Sequence, residues 1–153
     1  MKTKVSSARV RVGLAAAAVL LLPVAAAPTA FAQPRDGVPQ VDVEAGTNLD
    51  NDATVKVNLS GFEAGATVFI RQCAKVAEGV FNCASDDADE VTVDDEGTAS
   101  ADTEVHRVFE ASDSQGAPLG EIDCAEVEHG CYVTAGNEHG GSAAEISFAD
   151  GSE

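Results

Sequence analysis

Thr67-Val68-Phe69-Ile70-Arg71-Gln72-Cys73-Ala74-Lys75-Val76-Ala77-Glu78-Gly79-Val80-Phe81-Asn82-Cys83 is the stretch that decides how this chain folds. Its first part, 67–73, is dense in β-branched and aromatic side chains, which suit a pleated, half-buried surface. Cysteines stand at Cys73 and Cys83, and a second close pair, Cys124 and Cys131, follows downstream. Four cysteines permit three connectivities. The short separation within each pair favours two local bridges, Cys73–Cys83 and Cys124–Cys131. Bridges of this kind staple hairpins or loops and hold the walls of one end of a scaffold. A zinc centre fits poorly, since neither pair is C-x-x-C and only His129 lies near a cysteine.

Outward from these loops the strand-like pattern continues. Val41-Asp42-Val43 and Val55-Lys56-Val57-Asn58-Leu59 place apolar residues on alternate positions. Glu90-Val91-Thr92-Val93 reads as another strand, closed by Asp94-Asp95-Glu96-Gly97, a turn whose Gly can take positive φ. Residues 98–109 alternate small and polar side chains and read as one long strand. Residues 131–135 and 143–148 complete the set. No stretch beyond the N-terminal segment keeps a 3.6-residue apolar period. The expected fold is therefore all-β, an antiparallel sandwich of about seven short strands. Its core is lean: Phe62, Phe69, Phe81, Phe109, Phe148 and Tyr132 are the aromatics outside that segment, and there is no Trp. In such a domain two bridges, worth ~2–4 kcal/mol each, supplement the core usefully.

The N-terminus fixes the compartment. Lys2, Lys4, Arg9 and Arg11 form a basic start, residues 12–28 are almost entirely Ala, Val and Leu, and Ala30-Phe31-Ala32 offers an A-x-A cleavage site. Pro23 and Pro28 interrupt the apolar run, which argues against a membrane span. The expected organisation is a secretory signal peptide at 1–32, a flexible tail at 33–40, one β-sandwich domain at 41–148 and a C-terminal tail at 149–153. An exported chain meets an oxidising exterior, where disulfides persist.

Cleavage also changes the charge. Four of the nine Lys and Arg lie in 1–32 and none of the 26 Asp and Glu do, which leaves five basic residues and a net charge of −21. A field of that sign favours solubility and repels nucleic acid and anionic membranes. Direct DNA binding and membrane attachment after cleavage are not expected of this chain.

A set of ordered segments now carries a resemblance. Gly61-Phe62-Glu63-Ala64-Gly65-Ala66, Gln72-Cys73-Ala74 and Gly79-Val80-Phe81-Asn82-Cys83 are followed by Val91-Thr92-Val93 and Gly97-Thr98-Ala99-Ser100. Val105-His106-Arg107-Val108-Phe109-Glu110, Asp123-Cys124 and Ala144-Glu145-Ile146-Ser147-Phe148 complete it. Together they resemble the neocarzinostatin family of enediyne apoproteins across the whole mature chain. The resemblance implies an immunoglobulin-like seven-stranded antiparallel sandwich with an extra β-ribbon, and the same two bridges holding the ribbon and the opposite wall. It further implies a monomeric, secreted carrier that binds an apolar enediyne chromophore without covalent attachment and requires no other cofactor. The chromophore, once released, attacks DNA, so DNA is a partner only indirectly.

By that resemblance the ligand-binding positions are Phe69, Lys75, Phe81, Ala88, Ser114, Tyr132 and Gly136. The chain departs from the family pattern at three of them. Lys75 stands where a bulky aromatic is expected, and Ala88 and Ser114 stand where rings would lie on the chromophore. Other candidate chemistry is thin. His106, His129 and His139 fall in no motif with Ser or Asp, so no catalytic residues are expected and the chain is not read as an enzyme. Asp50-Asn51-Asp52 and Asp94-Asp95-Glu96-Gly97 lack the spacing of a calcium loop and read as turns, so no metal is expected. The competing functional reading is an extracellular immunoglobulin-like interaction module that carries no chromophore. Export supplies a first test: the intact mass of protein recovered from culture medium should correspond to 33–153, with four fewer hydrogens for two disulfides. A secreted form that retains 12–28 would overturn the signal-peptide reading.

Overall fold

The computed structural model describes residues 37–85 and 88–149. The expected signal peptide, most of the N-terminal tail and the end of the C-terminal tail lie outside the described residues. Ten strands account for the fold, and no helix occurs among the described residues. They are β1 (Gln40–Glu44), β2 (Asp52–Ser60), β3 (Thr67–Ala77), β4 (Val80–Ala84) and β5 (Asp89–Thr92), then β6 (Ala99–His106), β7 (Val108–Ser112), β8 (Pro118–Asp123), β9 (Cys131–Asn137) and β10 (Gly140–Ile146). All strand pairings are antiparallel.

A three-stranded sheet runs β1-β2-β6, and a larger sheet runs β10-β9-β3-β4-β7-β8, with β5 also paired to β3. The sandwich proper is β1, β2 and β6 set against β10, β9, β3 and β5. Period-two alternation builds it. Val55, Val57 and Leu59 of β2, Val105 of β6, Val68 and Ile70 of β3 and Val133 of β9 all turn inward and are buried. Phe62 and Phe109 are the buried aromatics, so the core is indeed carried mainly by Val, Leu, Ile and Ala.

β3 is the longest strand because it serves two neighbours in turn. Thr67 to Ile70 pair with β5, and from Cys73 onward the strand pairs with β4. Beyond β4 lie β7 and β8, so the large sheet continues past the sandwich as a ribbon. Both expected disulfides are formed. Cys73–Cys83 ties directly opposed residues of β3 and β4, and Cys124–Cys131 closes the loop that leads into β9.

The one long strand expected over 98–109 is corrected. The chain breaks at Arg107 into β6 and β7, which belong to different sheets. Alternation stays in phase across the break, since Val105 and Phe109 both turn inward, and so the pattern does not betray it. The corner is instead made by specific polar contacts. The Arg107 amide donates to Asn51 O at 2.8 Å, and the Cys124 amide donates to Arg107 O at 2.8 Å. The guanidinium pairs with Asp123 through Nε at 3.1 Å and Nη2 at 3.3 Å. Gln72 completes the corner from β3: its Nε2 donates to His106 O at 2.6 Å and its Oε1 accepts from the His106 amide at 2.8 Å.

Turns elsewhere follow the sequence. Asp94 accepts from the Thr98 hydroxyl and amide, both at 2.7 Å, which holds its carboxyl below the usual carboxylate range. The Arg107 hydrogen bond, aided by the Ala125 amide, likewise holds the Asp123 carboxyl below that range. A carboxylate whose folded pKa is depressed contributes stability above its unfolded pKa of about 3.9, and that contribution fades as pH falls through the lower folded value. Asp123→Asn should therefore lower the melting temperature at neutral pH and flatten the loss of stability on acidification below about pH 4. Identical acid titration of melting in the two proteins would show that the corner pair contributes nothing.

Candidate ligand-binding cleft

The outer face of the large sheet is assembled by register. On β3 the outward positions are Thr67, Phe69 and Arg71, while Val68, Ile70 and Gln72 point inward. Across β9, Phe69 stands opposite Gly136, Arg71 opposite Thr134 and Cys73 opposite Tyr132. Across β10, Gly136 meets Gly141, Thr134 meets Ala143 and Tyr132 meets Glu145. Lys75 and Phe81 face one another where β3 pairs with β4. Because cross-strand partners share a face, these residues form one surface beneath the ribbon.

A cleft of about 500 Å³ opens on this surface, lined by Phe81, Thr134, Gly136, Asn137, Gly141 and Ala143 among others. That volume suits a small organic guest. Glycine makes its floor. A Cβ at Gly141 would stand 2.6 Å from Ala135 O, and one at Gly136 would stand 3.1 Å from Gly140 O. The bare β9–β10 backbone is thus a flat bed of peptide groups that no larger residue could supply. Phe81 forms one wall and is fixed by Tyr132, whose ring meets it edge-to-face at 5.7 Å with planes 89° apart.

The remaining expected positions spread around this centre. Phe69 is 47 % exposed and lines a second hollow of about 620 Å³, with Thr67, Glu63 and His139, which shares Asn137 with the cleft. Lys75 lies at the start of the ribbon, its Nζ 3.0 Å from Glu78 Oε2. Ala88 is half-buried just before β5. Ser114 is exposed at the tip of the β7–β8 hairpin, where Asp113 Oδ1 accepts from the Gln115 and Ala117 amides at 2.8 and 2.9 Å. The fold therefore brings Phe81 and Gly136 together in the cleft, packs Tyr132 against Phe81, sets Phe69 beside them, and leaves Tyr132, Lys75, Ala88 and Ser114 out of the lining of either hollow. Thr134 and Ala143, which line the cleft, were not among the expected residues, and neither was Arg71, which pairs with Thr134 but lines a separate hollow with Gln72, Asp89 and Glu104. Counting by twos from Phe69, and outward from Gly136, would have placed them on the same face.

Nothing on this surface resembles a catalytic device. His106 Nδ1 bonds its cross-strand partner Asp52 at 2.8 Å, away from the cleft. Among the described residues no group of three or more His, Cys, Asp or Glu is placed to hold a metal ion.

A glycine-floored cleft on a ribboned all-β sandwich with two local disulfides has clear counterparts. The description of the Neocarzinostatin family matches residues 41–149. Macromomycin of Streptomyces macromomyceticus is 38% identical over 128 residues, which cover 81% of this chain and 88% of that protein. This chain belongs to the neocarzinostatin family. The antitumor antibiotic C-1027 apoprotein of Streptomyces globisporus is 35% identical over 127 residues, 83% of each chain. The solved structure of macromomycin superposes with a TM-score of 0.67 at 35% identity, over 73% of this chain and all of that one.

As a neocarzinostatin family domain without Trp and with one Tyr, the protein carries its own optical reporter against the Phe81 wall of the cleft. Phe81→Ala should strip the asymmetric environment from Tyr132 and weaken its near-ultraviolet circular dichroism. Stability should fall by only about 1 kcal/mol, the worth of the ring pair. A loss near the ~3–5 kcal/mol of a core Phe→Ala change would place Phe81 in the core instead.

Proposed function

We propose that this chain is a secreted, monomeric apoprotein that binds a small apolar chromophore of the enediyne type without covalent attachment, stabilises it and carries it. The observation that supports this most directly is the preformed glycine-floored cleft, walled by Phe81 with Tyr132 packed against it, on the family scaffold. Gly136 provides the bed, the Phe81–Tyr132 pair the principal apolar wall, and Phe69 a second wall across Asn137. The family positions at Lys75, Ala88 and Ser114 form the periphery, where this chain offers a ribbon cation and small side chains in place of rings.

The mechanism is sequestration rather than catalysis. Stapled strands and a glycine bed are already in place before the guest arrives, so little ordering is lost on binding. Burial of the guest against apolar walls excludes water and dissolved nucleophiles from its reactive carbons. The apoprotein's own charge keeps it off DNA, so the damage is left to the released chromophore.

Titration of the mature protein with an enediyne chromophore, read by quenching of Tyr132, should saturate at micromolar concentration or below. Phe81→Ala should weaken binding by about tenfold, equivalent to ~1.4 kcal/mol. Ala88→Phe should tighten it by restoring a ring at the periphery. Absence of saturable binding by the folded protein would refute the carrier reading.

A further inference from the structure

β3 has a gap on one flank. β5 leaves it at the Ile70–Asp89 pair and β4 joins it at Cys73–Cys83, so Arg71 and Gln72 have no strand partner on that side. β6 ends the three-stranded sheet and pairs only with β2. A hollow of about 300 Å³ is lined jointly by the gap in β3 and by Asp102, Thr103 and Glu104 of β6. It shares no lining residue with the glycine-floored cleft or with the hollow beside Phe69.

Alternation gives this hollow a mouth and an inner end. Gln72 and Thr103 turn inward and are buried, whereas Asp89, Asp102 and Glu104 are exposed, so carboxylates stand at the mouth and Thr103 at the inner end. Thr103 is only 4 % exposed. Its hydroxyl is the one buried side-chain polar atom without a hydrogen-bond partner among the described residues. Such an orphan is costly and uncommon, and a hydroxyl can both donate and accept. The Gln72 amide does not answer it, since both its ends are taken by the His106 backbone.

The lining selects the guest. Three carboxylates, Asp89, Asp102 and Glu104, stand there with one guanidinium, that of Arg71, so the local field favours a cation. Among the described residues no three His, Cys, Asp or Glu are placed to hold a metal ion, which leaves an organic cation. No Phe or Tyr lines the hollow, so a quaternary ammonium finds no aromatic face. A primary ammonium instead donates three hydrogen bonds and suits the carboxylates.

We propose that this hollow is a second binding site, separate from the cleft, for a small amino alcohol. The carboxylates at the mouth hold its primary ammonium, and its hydroxyl completes the hydrogen bonding of Thr103 at the inner end. The site is independent of what the cleft carries.

Amide chemical shifts of the isotope-labelled, mature, disulfide-bonded protein report on this site directly. On titration with aminopropanol, saturable shifts should concentrate at 70–72 and 102–106. Propylamine, which lacks the hydroxyl, should bind about fivefold more weakly, as the loss of one hydrogen bond implies. Propanediol, which lacks the charge, should not saturate. Thr103→Val should erase the advantage of aminopropanol over propylamine, and Glu104→Gln should weaken both amines. Without ligand, Thr103→Val should melt no lower than the parent, because a methyl group replaces a hydroxyl that has no partner. Linear shifts scattered over the acidic surface, equal affinity for aminopropanol and propylamine, or an advantage that survives Thr103→Val would overturn the site. A lower melting temperature for Thr103→Val would show the hydroxyl already satisfied within the fold and would overturn it equally.

Discussion

The buried amide of Gln72 is the contact on which the arrangement of this domain turns. Two sheets that face one another across apolar residues have no directional reason to hold a fixed offset, because burial is roughly proportional to area and indifferent to angle. Gln72 supplies direction. Its amide satisfies both backbone groups of His106 as a neighbouring strand would, so β6 of the small sheet is tied to the middle of β3 of the large one. Removing it would strand a buried donor and a buried acceptor, each worth about 1–3 kcal/mol of desolvation. One residue later the chain crosses at Arg107, and the Asp123 pair and the Cys124 amide fix that crossing. Cys73, adjacent to Gln72, begins the ribbon. The inter-sheet tie, the corner and the ribbon thus meet within a few residues.

That convergence explains why the cleft sits where it does. In a plain sandwich the outer face of a sheet is open to water, and outward residues need only be polar. Here β3 continues beyond its β5 partner, and the Cys73–Cys83 bridge holds β4 against it, so Phe81 is carried over the outer face of β9. The switch shows in the burial of β3 itself. Strict alternation holds to Arg71, after which Gln72, Cys73 and Ala74 are all buried, because both faces are covered from that point. The 124–131 loop, closed by the second bridge, provides the far cover. Rigidity in this corner is therefore a property of the scaffold, and the glycines of β9 and β10 can be spent on an empty floor without loosening the wall.

The sequence made the sandwich legible where side-chain periodicity and packing coincide. β2, the first half of β3 and β9 alternate visibly because one face of each meets the core. Both disulfides were legible from proximity alone. The break at Arg107 was not, since Val105 and Phe109 keep the same phase in different sheets and the corner is set by long-range hydrogen bonds that leave no periodic trace. β8 was missed for a related reason: Leu119 is half exposed on a ribbon that packs little, so its apolar positions carry no pattern. At the site, Phe81, Tyr132 and Gly136 could be named from family resemblance. Thr134 and Ala143 could not, because positions inherited from a pattern draw attention to what is absent, as at Ala88, rather than to the neighbours that share the face.

The small side chains at Ala88 and Ser114 alter what the cleft can discriminate. An aromatic wall gains about 0.5–1.5 kcal/mol per ring pair beyond burial and accepts most flat guests alike. With Ala88 and Ser114 in place of rings, that contribution shrinks to the Phe81–Tyr132 pair. On the carrier reading, affinity in this cleft rests on the Phe81 wall and the glycine floor, and selectivity on how well a guest fits that bed.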